Sequence, residues 1–191
     1  MAELIDRIVK RVKSGITTPT GSPYIIAPPA TLASIASDEQ TLGFALPPLL
    51  KQLYLTIGNG GWGPSYGLLG LTGGEDEDER TAVSEYMAQR GSTLNDVSSD
   101  PNLYWPEGML PICDWGCAIF SCIDCSKSEF PMMVFDPGRH QNGGDWSDAF
   151  FSEGLTFGGW IELWVEGHDL WQRLCGPEGT ITQKRFEGYR R

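Results

Sequence analysis

The chain has 191 residues, of which 40% are hydrophobic and 11% aromatic, and this composition excludes a wholly disordered protein. Its 25 acidic residues outnumber 14 basic ones, and the formal net charge of −11 disfavours direct binding to nucleic acid or to an anionic membrane surface. A negative surface instead favours rapid association with a basic protein.

Apolar residues at helical spacing predict three helices in the first third of the chain. Residues 4–12 present one apolar face, and a Pro- and Gly-rich linker over residues 14–29 follows them. A second helix is predicted from Thr31 to Gly43. A third begins at Pro47-Pro48 and ends at the turn Gly58-Asn59-Gly60-Gly61.

Short apolar runs between turn residues predict strands in the rest of the chain. The predicted strands are 66–71, 110–113, 118–124 and 132–135. A helix is predicted around residues 80–90, and an amphipathic helix from about Ser152 to Trp171 closes the pattern. This order predicts an α+β fold, with N-terminal helices packed on a mostly antiparallel sheet and a closing C-terminal helix.

The predicted organisation has three parts. These are an N-terminal helix and linker over residues 1–29, a domain over 30–175 with an acidic insertion at about 73–105, and a polar tail over 176–191. The predicted core draws on both halves of the domain: Leu46, Leu50, Leu53, Ile57, Leu69, Leu110, Ile112, Phe120, Val134, Trp160 and Trp164. No apolar run approaches the roughly 18 residues of a membrane span, and no secretory signal is recognisable, so we expect a cytoplasmic protein.

Four of the five cysteines lie close together, at Cys113, Cys117, Cys122 and Cys125. Four thiolates could ligate a structural zinc, but only Cys122 and Cys125 have the spacing of a ligand pair, and residues three apart in a strand face opposite ways. A hairpin could bring Cys113 opposite Cys117. A redox-active Cys122–Cys125 pair is disfavoured because Asp124 lies between the thiols. We therefore expect free, buried thiols and neither metal nor cofactor.

A polar loop contains Asp136, His140, Asp145 and Asp148. These side chains could bind a cation or supply an acid–base pair to a hydrolase. They are not accompanied by the Ser–His or Cys–His spacing of an enzyme family. A solvated loop is the preferred interpretation, with the hydrolase as an alternative.

Five consecutive carboxylates, Glu75, Asp76, Glu77, Asp78 and Glu79, form what we call the acidic run. The run lacks the alternating ligands and turn glycine of an EF-hand loop, which argues against a calcium site. Acidic runs are commonly solvated and mobile, and they can also bind a basic protein. We predict that this one is a contact surface for such a partner.

Three segments of the chain occur in an order typical of one family. The first is Leu46-Pro47-Pro48 through Tyr54 with Ile57-Gly58-Asn59-Gly60-Gly61, and the second is Leu110–Gly116 followed by Phe120–Asp124. The third is Phe157-x-x-Trp160-Ile161. Together they resemble the SUKH superfamily, also called the Smi/Knr family, over roughly residues 30–165. The chain departs from the family at Cys113, where glycine is frequent, and in its long acidic stretch.

The resemblance implies an α+β domain without catalytic residues. Bacterial SUKH members are typically immunity proteins that bind and neutralise toxins, often nucleases, and eukaryotic relatives are regulatory interaction modules. It therefore implies an immunity protein with a basic toxin domain as partner, or alternatively a regulatory scaffold. The residues matching the family motifs have structural roles by this interpretation: Leu46, Pro47, Asn59, Gly60, Gly61, Leu110, Pro111, Asp114, Gly116, Asp124 and Trp160.

Overall fold

A computed structural model of the chain describes residues 2–95, 104–141 and 146–175. They form an α+β fold with one antiparallel sheet, as the sequence predicts. The helices are α1 (Ala2–Lys13), α2 (Leu32–Leu42), α3 (Pro48–Thr56), α4 (Ala82–Asn95), α5 (Phe157–Val165) and α6 (Leu170–Cys175). The strands are β1 (Met109–Asp114), β2 (Phe120–Asp124), β3 (Pro131–Phe135) and β4 (Phe150–Thr156).

The sheet is a meander in which each strand pairs with the next one along the chain, in the order β1-β2-β3-β4. The β1–β2 turn is closed by the Trp115 N–H, which donates to the Ile119 carbonyl at 2.9 Å. The side chain of Asp114 accepts the Gly116 N–H at 2.7 Å at the start of this turn. Hairpin connections of this kind allow sequence neighbours to pair without crossover helices.

The N-terminal helices begin and end where the sequence predicts. Thr31 caps α2 by accepting the Ser34 N–H, and Gly43 ends that helix with a left-handed φ of 81°. Pro47 precedes α3, whose first residue is Pro48, where the missing proline N–H costs no helical hydrogen bond. Helix α4 packs on β1, and α2 packs on α4.

One continuous hydrophobic core joins the helices to the sheet. The predicted core residues are buried, except that Ile57 is partly exposed. The largest buried side chains include three tryptophans: Trp62, Trp105 and Trp160. No described helix is long and apolar enough to cross a membrane.

The segment predicted as a first strand, residues 66–71, is not a strand. It makes only a local bridge to β1, in which Leu68 pairs with Cys113 and the Leu69 N–H donates to Ile112. The Leu68 N–H donates to the carbonyl of Trp62 at 2.7 Å. The backbone therefore folds back on the preceding glycine-rich turn instead of extending along the sheet.

The predicted closing helix is shorter than expected and begins later. Residues 152–156 belong to β4, because their backbone pairs with β3, and the Thr156 hydroxyl then caps α5 by accepting the Gly159 N–H. A turn that contains Gly167, with a φ of 92°, separates α5 from α6. Apolar spacing alone could not reveal that the first residues of this segment have a strand partner.

Helix α1 packs against α5 near the other end of the chain. Ile8 is fully buried in the common core, and Arg7 forms ion pairs with Glu162 at 2.7 Å and Glu166 at 3.1 Å. The predicted boundary between the N-terminal part, residues 1–29, and the domain that begins at residue 30 stays a prediction. Asp145, residues 96–103 of the predicted acidic insertion and the predicted tail 176–191 lie outside the described residues.

Candidate protein-binding groove

A surface groove of about 570 Å³ lies where three segments meet. These are residues 18–27 of the linker, residues 61–69 after α3, and residues 74–78 with Arg80, which include all of the acidic run except Glu79. Asp114 and Gly116 of the β1–β2 turn complete its lining. Its volume falls within the range of about 300–1,000 Å³ that is usual for ligand sites in proteins.

The glycine-rich turn after α3 fixes the shape of this groove. Asn59 is buried, and its side-chain oxygen accepts the Leu71 N–H at 2.8 Å while its amide donates to the carbonyls of Leu71 and Thr72. The buried Asp38 of α2 accepts the Thr72 N–H and hydroxyl. The chain that leads into the acidic run is therefore anchored to both α2 and the α3 turn.

The linker is held against the same turn. The Tyr24 hydroxyl donates to the Gly63 carbonyl at 2.6 Å, and the Asn59 N–H donates to the Pro28 carbonyl at 3.1 Å. A Cβ at Gly61 would lie only 1.8 Å from the carbonyl oxygen of Ile25, so glycine is required for this close approach. These contacts give the groove a preformed wall from a segment that the sequence predicts only as a linker.

Arg80 organises the acidic run. The Asp76 carboxylate accepts the N–H groups of Asp78 and Arg80, and it also accepts the Arg80 Nε at 3.1 Å. The Arg80 guanidinium lies 3.4 Å from Asp78, whose side chain is 76% exposed. The run is thus a turn built around a half-buried Asp76, and only Glu75, Glu77, Asp78 and Glu79 are exposed.

The same arginine ties the run to the sheet. Arg80 donates to Asp114 at the end of β1 at 2.7 Å. Burial lowers the pKa of Arg80, but the hydrogen bonds and charges of Asp114 and Asp76 outweigh burial and raise that pKa above its ordinary value. The guanidinium is therefore charged and shared between two carboxylates that belong to different segments.

Negative charge dominates the groove lining. Its carboxylates are Glu75, Asp76, Glu77, Asp78 and Asp114, and Arg80 is the cationic side chain among the lining residues. Glu79 belongs to the acidic run but does not line the groove. Large apolar side chains accompany these charges, since Ile25 is 73% exposed and Tyr66 is 57% exposed. Exposed apolar surface that is rimmed by polar groups is typical of protein contact sites.

We expect Arg80→Met to destabilise the protein by about 1–2 kcal/mol, because Asp76 and Asp114 would lose the cation that they share. Arg80→Lys should recover only part of this loss, since an ammonium lacks the planar fork that reaches both carboxylates. Urea denaturation measures the free energy, and hydrogen exchange at the Asp78 and Arg80 amides measures local order. Unchanged exchange in Arg80→Met would contradict the organising role of Arg80.

The buried residues among those that match the family motifs include Leu46, Pro47, Leu110, Pro111 and Trp160. Asp124 is also buried, and its carboxylate accepts the Ser126 N–H at 3.0 Å. Asp114 has two partners, because one oxygen accepts the Gly116 N–H and the other accepts Arg80. Of these residues, Gly61, Asp114 and Gly116 line the groove.

The cysteines have separate environments. Burial raises the pKa of Cys113 and Cys122 well above the ordinary value, and it raises that of Cys125 as well. Cys117 is exposed in the β1–β2 turn, contrary to the expectation of buried thiols. Within the described ranges no group of three or more His, Cys, Asp or Glu side chains is arranged to hold a metal ion.

The loop considered for hydrolysis contains an Asp–His pair. His140 Nδ1 lies 2.9 Å from Asp148, and the imidazole stacks on Trp146 with the ring centroids 4.0 Å apart. The His140 side chain is only 6% exposed, so little of the imidazole can reach a substrate. Asp136 pairs with Arg139 at 3.1 Å and caps a short 3₁₀ turn. Asp145 lies outside the described residues.

The chain was compared with models of known protein families, and a match was found. The model of the SMI1 / KNR4 family (SUKH-1) matches residues 29–146, which is more than half of the chain. The chain therefore belongs to this family. The match includes the glycine-rich turn, the acidic run and the β1–β2 hairpin, whereas α5 lies beyond it. A comparison with curated protein sequences finds no match.

The acidic run was predictable from the sequence, but the rest of the groove was not. Ile25 and Tyr66 lie in segments predicted as a linker and a strand, and their exposure depends on tertiary packing. The positive charge of Arg80 directly after five carboxylates is the signal that could have indicated an organised turn. Nothing in the sequence pairs Arg80 with Asp114, which is 34 residues away.

Proposed function

We propose that this SUKH-1 protein is a non-catalytic binding protein of the cytoplasm that acts as an immunity protein. Its partner would be a basic toxin domain, for example that of a nuclease. The observation that best supports this proposal is the groove of a SUKH-1 domain, in which an ordered acidic run adjoins exposed apolar side chains. The buried imidazole of His140 argues against the hydrolase alternative.

A physical argument connects this surface to neutralisation. A nuclease binds phosphates through lysine and arginine side chains, and carboxylates can compete for the same cations. Complementary charge also raises the association rate, which matters for a protein that must reach a toxin before the toxin reaches its substrate. The chain itself, with a net charge of −11, would repel nucleic acid.

Co-expression with the toxin encoded beside its own gene tests the proposal. We expect the chain to restore growth of cells that produce the toxin and to co-purify with it. A regulatory scaffold, the alternative from the same family, would have no toxin gene beside it and would not restore growth. A hydrolase would instead show a measurable turnover that His140→Ala removes. In that case the acidic run would be dispensable for binding to any partner.

Removing the exposed charges of the acidic run should slow association with the toxin. The variant combines Glu75→Gln, Glu77→Gln, Asp78→Asn and Glu79→Gln and keeps Asp76, because Asp76 holds the turn. We expect the association rate constant at low salt to fall about tenfold or more and its salt dependence to weaken. The free energy of unfolding should change by less than about 1 kcal/mol, since surface charges contribute little. Stopped-flow fluorescence measures the rate.

The matched control removes four exposed carboxylates elsewhere through Glu3→Gln, Asp6→Asn, Glu107→Gln and Glu129→Gln. This control has the same net charge as the acidic-run variant but keeps the groove intact. Equal slowing by both variants would mean that only net charge matters. That result would contradict the acidic run as the contact surface.

A further inference from the structure

Resting on the proposed role in protein binding, we propose that the groove binds an extended segment of the partner in which cationic side chains flank an apolar one. The occupant is thus a stretch of polypeptide with lysine or arginine at alternate positions. Two properties of the groove, its charge and its exposed apolar side chains, specify these two kinds of side chain. An extended occupant follows from the way in which a strand separates alternate side chains.

The charge of the lining selects cations. The groove contains five carboxylates, and Arg80 is bound to Asp76 and Asp114, so Glu75, Glu77 and Asp78 are the carboxylates that face solvent. Asp78 makes only a long contact with Arg80, at 3.4 Å. These three carboxylates belong to four consecutive residues, and charges closer together than the screening length of about 8 Å at physiological salt add to one another's potential. A segment with a single cation would leave much of this potential uncompensated.

Apolar side chains next to the carboxylates select a hydrophobic residue. Ile25 exposes 73% and Tyr66 57% of its surface, and both line the groove. Burial of such a side chain by a partner contributes affinity that is insensitive to salt. Leu32 is also 73% exposed but does not line the groove, so it provides a control matched in exposure.

An extended segment satisfies both requirements at once. In a strand, successive side chains point to opposite sides, so a segment that alternates cationic and apolar residues presents one kind to the carboxylates and the other to Ile25 and Tyr66. The groove needs little rearrangement, because Tyr24, Gly61 and Asn59 already hold the linker against the α3 turn. A preformed site loses less conformational entropy on binding.

Fluorescence anisotropy with labelled peptides tests this inference on the full chain. The probe is a fluorescein-labelled peptide that alternates arginine and leucine. The comparison peptides replace either every leucine with serine or every arginine with glutamate. We expect the serine peptide to bind about tenfold more weakly, and the glutamate peptide not to bind. Equal binding of the serine peptide would overturn the requirement for an apolar residue.

Variants then place the peptide in the groove. We expect Ile25→Ser to weaken binding about tenfold, and the combined Glu75→Gln, Glu77→Gln and Asp78→Asn variant to weaken it at least as much. Leu32→Ser and the combined Glu3→Gln, Asp6→Asn and Glu129→Gln variant, which removes the same number of charges, should leave binding nearly unchanged, because none of these residues lines the groove. Binding that is insensitive to the groove variants, or equally sensitive to the controls, would overturn the inference.

The groove inference and the immunity proposal can fail independently of each other. If Ile25→Ser and the triple variant still neutralise the toxin as well as the unmodified chain, the groove is not the toxin site and the immunity proposal stands. If the peptides bind as expected but no toxin is neutralised, the groove inference stands and the immunity proposal fails. Thermal unfolding of each variant checks that it is folded.

Discussion

Gly60→Val should prevent stable folding of the protein. Gly60 has a φ of 90°, in the left-handed region that a β-branched residue avoids. A Cβ at this position would lie 2.5 Å from the Gly70 backbone nitrogen, so the turn and the segment before the acidic run would have to separate. Backbone strain and steric overlap together should cost about 4 kcal/mol or more, a large part of the stability of an ordinary domain.

Gly73→Ala provides the matched control for this prediction. Gly73 has a similar φ of 86°, but a Cβ there would meet no atom within 4 Å. This variant should lose only the conformational component, about 1–2 kcal/mol. Urea denaturation followed by circular dichroism measures both variants. Equal stability of Gly60→Val and Gly73→Ala would show that the close approach of Gly60 to Gly70 is not needed for folding.

The second large effect concerns Glu153, a buried carboxyl group of β4. Its carboxylate accepts the Ser121 hydroxyl at 2.6 Å, and Ser121 in turn accepts the Trp115 indole N–H at 2.9 Å. Burial raises the pKa of Glu153 to about 7, and the Ser121 hydrogen bond and the charge of Arg173 lower it only in part. Burial raises the pKa of the Cys113 and Cys122 thiols, and the negative charge of Glu153 raises it further.

We expect Glu153 to make the protein less stable as pH rises from about 4.5 to about 7. In this window the folded state keeps a proton that the unfolded state, with an ordinary carboxyl pKa of 4.5, has released. The slope is about 1.4 kcal/mol per pH unit, so the loss amounts to roughly 3 kcal/mol. Above pH 7 both states are ionised and this contribution becomes constant.

Glu153→Gln should remove this pH dependence. The stability of the variant relative to the unmodified chain should rise by roughly 3 kcal/mol between pH 4.5 and 8, because an amide has no charge to bury. Denaturant unfolding at several pH values gives the difference in free energy of unfolding between the two proteins. The other carboxyl groups are common to both, so their contributions cancel in this difference. Parallel stability curves for the two proteins would show that Glu153 is not the group responsible.

The N-terminal helices were predictable because their signals are local. Thr31, Gly43 and Pro48 set the ends of α2 and α3 through capping and proline geometry, which depend on neighbouring residues only. The segment 152–156 could not be assigned in this way, since its strand conformation depends on pairing with β3. Likewise, residues 66–71 have the composition of a strand, but their backbone is held by the α3 turn.

The groove was predictable only in part, because most of its features depend on contacts between residues that are far apart in the sequence. Five carboxylates in sequence identify an acidic surface, but they do not show that Asp76 is half-buried or that Glu79 does not line the groove. Asp76 is held in place by Arg80, which connects the run to Asp114 across 34 residues. Long-range ion pairs and exposed apolar side chains depend on the folded structure, so local spacing contains no signal for them.

The pairing of α1 with α5 affects how soon a newly made molecule can work. Arg7 and Glu162 are separated by 155 residues, so the first helix leaves the ribosome long before its packing partner exists. At about 5–20 residues per second, translation needs roughly 8–30 s to reach that partner. During this interval the apolar face of α1 around Ile8 is uncovered, and a chaperone could bind it. A cell that depends on fresh synthesis of this protein therefore has a delay, whereas a stored pool of finished molecules avoids it.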